Sequence, residues 1–273
     1  MWRSANYQIN LAERSLFPVI DDSEISLMLL RPQEIPRYMA EGKLDFGICG
    51  YDCLVECECE ERIVEMAELV FSKQSRKPTI WVLAVSASSP IRCRSELSGK
   101  SIQTEFVTMT RRWLAKNSIE ANVQFSWGAT EVKAGRFCDA IVEATETGNS
   151  LRRNGLIILD EVLRSTPRFI ANPEAYADPW KREKMEDIVF NLRGVLDAEG
   201  KSWISLNVTQ EDLQKVVQIL PALCSPTEAR LNKEGWSSLT AVVDEAVIRA
   251  ILPKLKRAGA ADIVVSPISR VIR

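Results

Sequence analysis

The 273-residue chain contains no histidine. That absence removes the commonest acid/base group and the commonest nitrogen ligand for metals, so chemistry here has to rest on carboxylates, cations, backbone amides or a metal carried in by a substrate. No apolar run approaches the ~18 to 20 residues that span a bilayer, and the N-terminus shows no signal-peptide pattern, which together predict a cytoplasmic protein. Charge of one sign is also lacking. With 35 basic against 37 acidic side chains and a pI near 5.6, there is no electrostatic footprint for nucleic acid or an anionic membrane.

Seven cysteines, an odd number, argue against a disulfide framework in a chain of this size and fit reduced thiols. Four crowd together at Cys49, Cys53, Cys57 and Cys59. Their spacing can place three on one helix face, yet it matches no C-x2-C pair of a usual zinc or iron–sulfur site, and no metal site is predicted.

What is present is the composition of a globular protein, 46% hydrophobic and 26% charged, long enough for two or three compact units. Between residues 24 and 160, strand-like and helical runs alternate: Ile25–Leu30 then Pro32–Glu41, Leu44–Ile48 then Tyr51–Cys57, Ile80–Val85, Ser101–Thr104 then Thr108–Lys116, Val123–Ser126 then Thr130–Arg136, Ala140–Val142 then Ser150–Asn154. This alternation predicts an α/β architecture with parallel sheets and helices on both faces, in which ligands collect at the C-terminal ends of strands. From Asp178 a capped helix with Pro179 at its first position carries Met185, Ile188, Val189, Leu192, Val195 and Leu196 at helical spacing. Beyond it the predicted order is βαββαβ, the split βαβ arrangement of ferredoxin-like domains: Trp203–Val208, Glu211–Leu220, Ser225–Leu231, Leu239–Val243, Ala246–Ala258, Ile263–Pro267.

The most telling segment is Asp139–Leu151, where a short buried run ends in two carboxylates and opens into a Thr-Gly-x-Ser turn. At the start of a helix, unpaired N–H groups and the helix dipole favour an anion, so Thr147, Gly148, Asn149, Ser150 and Leu151 can wrap a phosphate with amides and hydroxyls. Gly148 lets the backbone come close. Glu143 and Glu146 would repel a phosphate, but vicinal sugar hydroxyls are donors that suit them, so the pairing suggests a ribose phosphate. Taken alone, the turn is more simply an ordinary β-turn-α connection with solvated acids. Likewise Gly50 and Asp52, after the strand Leu44–Ile48, read alone as a turn residue and a helix cap. Several strand ends carrying such sequences together, Arg31 among them, weaken the plainer reading.

With these parts in place the chain resembles the long-form ATP phosphoribosyltransferases. The blocks that carry the likeness run in order over essentially the whole chain: Arg31–Tyr38, Leu44–Asp52, Ser126–Val132, Asp139–Leu156 with its ETGNSL core, Ala177–Lys184, Leu220–Thr227 and Arg257–Ala260. The resemblance implies a bilobal, periplasmic-binding-protein-like catalytic part, with one lobe from residues 1–78 and 160–180 and a second from 79–159. It implies a C-terminal ferredoxin-like regulatory domain, residues 181–273, where histidine binds as inhibitor. The implied reaction is attack of adenine N1 of ATP on C1 of PRPP with loss of Mg²⁺-pyrophosphate, the first step of histidine biosynthesis, in a homo-oligomer that interconverts between dimer and hexamer.

By the same likeness Thr147 to Leu151 bind the 5′-phosphate of PRPP, Glu143 and Glu146 lie on the ribose side, Arg31, Gly50 and Asp52 border the nucleotide and ribose, and Asn207, Leu223, Thr227 and Val242 lie at the inhibitor site. The chain departs from the family pattern at its start, where a first strand and a Lys-Gly loop are expected. A misassigned start, a shortened form of the chain and a catalytically impaired homologue acting as a regulatory or assembly subunit stay open, the first being favoured because the 143–151 loop is intact. A solute-binding protein with the same bilobal fold is a further alternative, disfavoured by the missing secretion signal and by a loop suited to a sugar phosphate.

Overall fold

The computed structural model describes residues 1–71 and 77–272. The chain divides into two compact units, one of Met1–Asn10, Ile20–Ile25 and Phe190–Arg273, the other of Leu11–Val19 and Ser26–Val189. Two short strands, β1 (Ile9–Asn10) and β2 (Val19–Ile20), come first. The larger unit then runs α1 (Ile35–Ala40), β3 (Phe46–Gly50), α2 (Tyr51–Cys57), β4 (Val64–Glu68), β5 (Thr79–Ser86), β6 (Ser101–Thr104), α3 (Val107–Lys116), β7 (Asn122–Phe125), β8 (Ala140–Thr145), α4 (Asn149–Arg153), β9 (Leu156–Ser165), β10 (Pro167–Ala171), α5 (Pro173–Ala177) and the start of α6 (Pro179–Ala198). Pro179 opens α6 without a lost N–H bond, and Asp178 Oδ1 caps it by accepting the Lys181 amide at 3.0 Å.

Two sheets organise this unit. One has the order β3-β10-β4, with β10 antiparallel to both neighbours; the other has the order β7-β6-β8-β5-β9. In the second, β6 runs parallel to β7 and β8, but β5 is antiparallel to both β8 and β9. The sheet is therefore mixed, where alternation predicted parallel strands. Trp81–Val85 of β5 are buried on both faces, so the strand is a continuous apolar run whatever its direction, and composition carries no record of that direction. α2 and α3 cover one face through Cys53, Leu54, Met109, Trp113 and Leu114, against Trp81, Leu83, Val85, Ile102 and Val142. The other face, Val82, Ala84 and Ile141, packs on Leu151 and Leu156. At ~1.5–3 kcal/mol for each large side chain removed from water, these two layers dominate the stability of the unit.

Two further expectations do not hold. Ile25–Leu30 forms no strand: Met28 and Leu29 are exposed, and the Leu29 amide donates to Leu16 O at 2.8 Å instead of to a ladder. Apolar character sets a propensity, but a strand exists only where a neighbour pairs with it. The helix predicted over Thr130–Arg136 is a single 3-10 turn, Thr130–Val132, ended by turns in which Gly135 takes a positive φ of 75°. Five strands, β1, β2, β4, β9 and β10, were not expected from the sequence. In β9 the reason is visible, since register shifts against β5 at Trp81/Val82 and Leu83/Ala84 break the alternation.

The smaller unit carries β11 (Lys201–Thr209), α7 (Leu213–Ile219), β12 (Thr227–Arg230), β13 (Trp236–Asp244), α8 (Glu245–Arg257) and β14 (Ala261–Pro267). Its strands pair antiparallel in the order β12-β13-β11-β14, as the βαββαβ reading predicts. Along β11, Ile204, Leu206 and Val208 are fully buried and alternate with Trp203, Ser205 and Asn207, so one sheet face packs on Leu213, Val216, Ile251 and Leu255 of the two helices and the other stays open. Among the described residues no helix is long and apolar enough to cross a membrane.

Because Leu206 is 0% exposed in this core, Leu206→Ala is expected to cost about 2–5 kcal/mol in this unit. Hydrogen exchange at the β11 and β13 amides checks it, with the α2–α3 layer of the larger unit serving as the unperturbed reference.

Candidate active site

The strand end at Gly50 is built around one buried carboxylate. α2 begins directly at Tyr51, so Asp52 lies in its first turn, where the helix dipole favours an anion. Asp52 is 9% exposed; its Oδ1 accepts the Cys53 amide at 2.9 Å and its Oδ2 accepts Trp81 Nε1 at 2.6 Å. The Asp52 amide donates to Ser165 Oγ at 3.1 Å. A charge removed from water is tolerable only with such partners. Gly50 suits the same group, because a Cβ there would collide with Asp52 Oδ1 unless the carboxylate moved.

Around this carboxylate the crossing chain segments are tied. The Tyr51 amide donates to Thr166 O at 3.0 Å, and Thr166 Oγ1 donates to Glu68 Oε1 at 2.6 Å. Arg168 pairs with Glu68 at 2.9 Å and stacks its guanidinium 5.2 Å from the Tyr51 ring centre. The hydroxyl of Thr166, and then Arg168, hold the Glu68 carboxyl below its usual range. Glu56 of α2 reaches α3, accepting the Thr108 and Met109 amides at 3.1 and 2.9 Å, and so caps its first turn. Burial outweighs those bonds and raises the Glu56 pKa.

The second group lies at the C-terminal ends of β6, β7 and β8. Gly148 adopts φ 72°, its amide donating to Thr145 Oγ1 at 2.7 Å, which closes the turn ahead of α4. Arg152 steadies the turn through Thr147 O at 2.9 Å and Asn149 Oδ1 at 2.8 Å. Thr147, Asn149 and Ser150 are exposed, whereas the Leu151 side chain is buried in the sheet core, leaving its backbone as the part that faces the loop. Ser150 Oγ donates to Glu131 Oε1 at 3.0 Å. Glu146 is partly buried at the mouth of the turn.

Glu143 accepts the Ala144 amide at 3.0 Å and is held high in pKa, first by burial and then by the charges of Glu131 and Glu105; the Ala144 amide and the Thr130 hydroxyl oppose the rise. Thr130 is itself buried against Ser126, Oγ1 to Oγ 2.9 Å, and Lys133 Nζ donates to Ser126 Oγ at 2.6 Å. Phosphate-suited amides and hydroxyls thus sit beside a patch of concentrated negative charge.

Trp81 joins the two groups. In the β5–β8 register it faces Ala144 and its neighbour Val82 faces Glu143, so the indole that grips Asp52 lies one strand from the turn. Arg31 is exposed ahead of α1, its carbonyl accepting the Glu34 amide at 2.9 Å. Of the four candidates in the smaller unit, Leu223 donates its amide to Val242 O at 3.2 Å, and Thr227 pairs with Thr240 on the same strand. Along β11, Ser205 faces Thr240, and Asn207 lies two positions to one side of it and Trp203, the partner of Val242, two positions to the other. The Asn207 amide side chain donates to Asp262 Oδ2 at 3.0 Å.

Trp81, Ser165, Thr130 and Glu131 had not been singled out from the sequence. Thr130 and Glu131 fall in the matched block Ser126–Val132, but Ser165 carries no local signal, since only the return of β9 brings it to Asp52. Of the clustered thiols, Cys49, Cys53 and Cys59 are buried, and burial pushes Cys49 and Cys57 up to about 12, so they behave as small apolar groups. The surface hollow lined by Arg111, Leu114, Ser118 and Glu120 lies at the C-terminal end of α3, before the start of β7, whereas the turn lies at the far ends of β6, β7 and β8.

A family model described as ATP phosphoribosyltransferase matches residues 31–194, and one described as the HisG C-terminal domain matches residues 198–270. Proteins named ATP phosphoribosyltransferase from Thermodesulfovibrio yellowstonii and Solibacter usitatus are 45% and 46% identical over 272 residues, spanning 100% of this chain and 92% and 93% of theirs. Among solved structures, the ATP phosphoribosyl transferase (HisG:HisZ) complex from Thermotoga maritima is similar at 26% identity and a TM-score of 0.60, over 72% of this chain and 91% of that one.

Two outcomes follow from this geometry. Gly50→Ala is expected to displace the Asp52 carboxylate and break the Trp81 bond, lowering the melting temperature of the larger unit, with Trp81→Phe giving a smaller loss; calorimetry of both variants checks it. For Glu143, a raised folded pKa means that the native state binds more protons than the unfolded chain above about pH 4.3. Its contribution is therefore full below that pH and lost as pH rises through the folded pKa. Glu143→Gln should flatten that fall in melting temperature.

Proposed function

The chain belongs to the ATP phosphoribosyltransferase family, and from that premise we propose that it transfers the phosphoribosyl group of PRPP to N1 of ATP. The products are phosphoribosyl-ATP and pyrophosphate, in the first step of histidine biosynthesis. The observation that carries the reading is the junction of a phosphate-suited turn, Thr147–Leu151, with the acid group Glu105, Glu131 and Glu143 at the same strand ends. PRPP has both characters, a terminal phosphate and a ring carbon that becomes cationic.

In this reading the turn takes the 5′-phosphate on its amides and on the Thr147 and Ser150 hydroxyls, with Glu143 and Glu146 on the ribose side. Loss of pyrophosphate from C1 builds positive charge on the ring, and fixed carboxylates stabilise that charge with no reorganisation at the moment of reaction. The ribose hydroxyls donate to Glu143 and offset its burial. Adenine N1 attacks with a ring lone pair and gives up no proton to do so, so a chain without histidine lacks nothing that the nucleophile needs; alignment of the two substrates supplies much of the rate. Mg²⁺ enters with the pyrophosphate of PRPP, as part of the substrate. Asp52, with both oxygens engaged inside the protein, acts on the site through Trp81 and β5. Gly50 and Arg31 border the nucleotide side.

The catalytic part divides into lobes of residues 1–78 with 160–180 and of residues 79–159. Residues 181–273 form the regulatory domain, where histidine binds near Leu223, Thr227 and Val242, with Asn207 further along the open sheet face. The enzyme works in the cytoplasm, where ATP and PRPP are supplied, as a homo-oligomer.

The test is direct assay with Mg²⁺, ATP and PRPP: phosphoribosyl-ATP and pyrophosphate should appear together in equal amounts. Gly148→Asp places a carboxylate against the phosphate and should weaken PRPP binding about a hundredfold, whereas the uncharged Gly148→Asn, a residue that tolerates positive φ, should weaken it far less. Equal affinities in the two variants would show that no phosphate lies at this turn.

A further inference from the structure

At the end of β7, beside the acid group, the chain displays an exposed aromatic surface. Trp127 is 92% exposed, and Phe125 stands edge-on to it at 4.8 Å and 79°. That T-shaped contact steadies the indole while leaving ring face open.

The backbone beneath is firmly held. The Ser126 amide donates to Thr104 O at 2.8 Å, and the Ser126 hydroxyl is bound to Thr130 and Lys133 at 2.9 and 2.6 Å. Thr130 in turn hydrogen-bonds Glu143. One buried polar step therefore connects the residue before Trp127 to the carboxylate assigned to the ribose. Gly128 follows with φ 108°, and a Cβ built on it would lie 3.7 Å from Glu105 Oε1, so the loop bearing the indole runs close to the acid group.

We propose that Trp127, backed by Phe125, is the stacking platform for the purine base of ATP. The proposal rests on the assignment of the 143–151 turn to PRPP, and it names the feature that holds the second substrate next to the first. The reacting lone pair of adenine N1 lies in the plane of the ring and points outward from its edge. Groups that gripped that edge would occupy the nucleophile, whereas an aromatic surface grips the face and leaves the edge free. Stacking on an indole suits any purine, so discrimination here is by ring size, and the smaller pyrimidine bases gain less from it.

The experiment measures ATP affinity by calorimetry, the KM values for ATP and PRPP, and molar mass by light scattering, for the full chain and for Trp127→Leu and Trp127→Phe. Trp127→Leu should weaken ATP binding about tenfold or more and leave the KM for PRPP unchanged, while Trp127→Phe should stay within about threefold of the original. Unchanged ATP affinity in Trp127→Leu overturns the platform. If molar mass falls in that variant while ATP affinity holds, the aromatic patch is a contact between copies of the chain and the proposal is wrong. ATP binding that depends on Trp127 in a protein that makes no phosphoribosyl-ATP supports the platform and faults the reaction instead. A chain that binds no ATP overturns the platform.

Discussion

A carboxylate buried at the first turn of a short helix constrains much of the larger unit. Asp52 is taken out of water, and every donor that compensates it comes from a fixed place: its own helix through the Cys53 amide, and β5 through the Trp81 indole. Its amide engages Ser165 at the end of β9. Chain segments more than a hundred residues apart must therefore meet at one point. A side chain at Gly50 would collide with the carboxylate and force it from its partners. Removing any one donor leaves a buried charge short of a partner, which costs more than the bond itself contributes.

From that point the register of a single ladder reaches the turn. Trp81 faces Ala144, between Glu143 and Thr145, and Thr145 receives the Gly148 amide. The position of the turn thus depends on a strand that contributes no group to it. The electrostatics there are divided over a short distance. Amides and hydroxyls suited to a phosphate lie on the turn, and three glutamates, one with a pKa raised mainly by burial, lie beside it. A molecule that is anionic at one end and turns cationic near the other matches this division better than a simple anion would.

The cysteine-rich stretch has a plain packing role. Cys49, Cys53 and Cys59 sit among Leu54, Met39 and Ile170 in the core or beside it, and burial raises the pKa of the Cys49 and Cys53 thiols. Small, weakly polar side chains at these positions let α2 pack closely on the sheet that ends in Gly50.

Much of this was legible in the sequence. Asp178-Pro179 marked the start of α6, the alternation of Ile204, Leu206 and Val208 marked the buried face of β11, and the ETGNSL run marked the turn, since caps, periodicity and turn chemistry act between residues a few positions apart. What stayed hidden depends on partners distant along the chain. The direction of β5, the failure of Ile25–Leu30 to pair, the register shifts in β9 and the meeting of Asp52 with Trp81 and Ser165 are set by which strands become neighbours. Short-range patterns were enough for the caps, for the buried faces of β11 and α6 and for the chemistry of the ETGNSL run. Tertiary structure alone decided which strand ends converge, because a hydrogen bond to a buried charge and the register of a ladder exist only once both partners are in place.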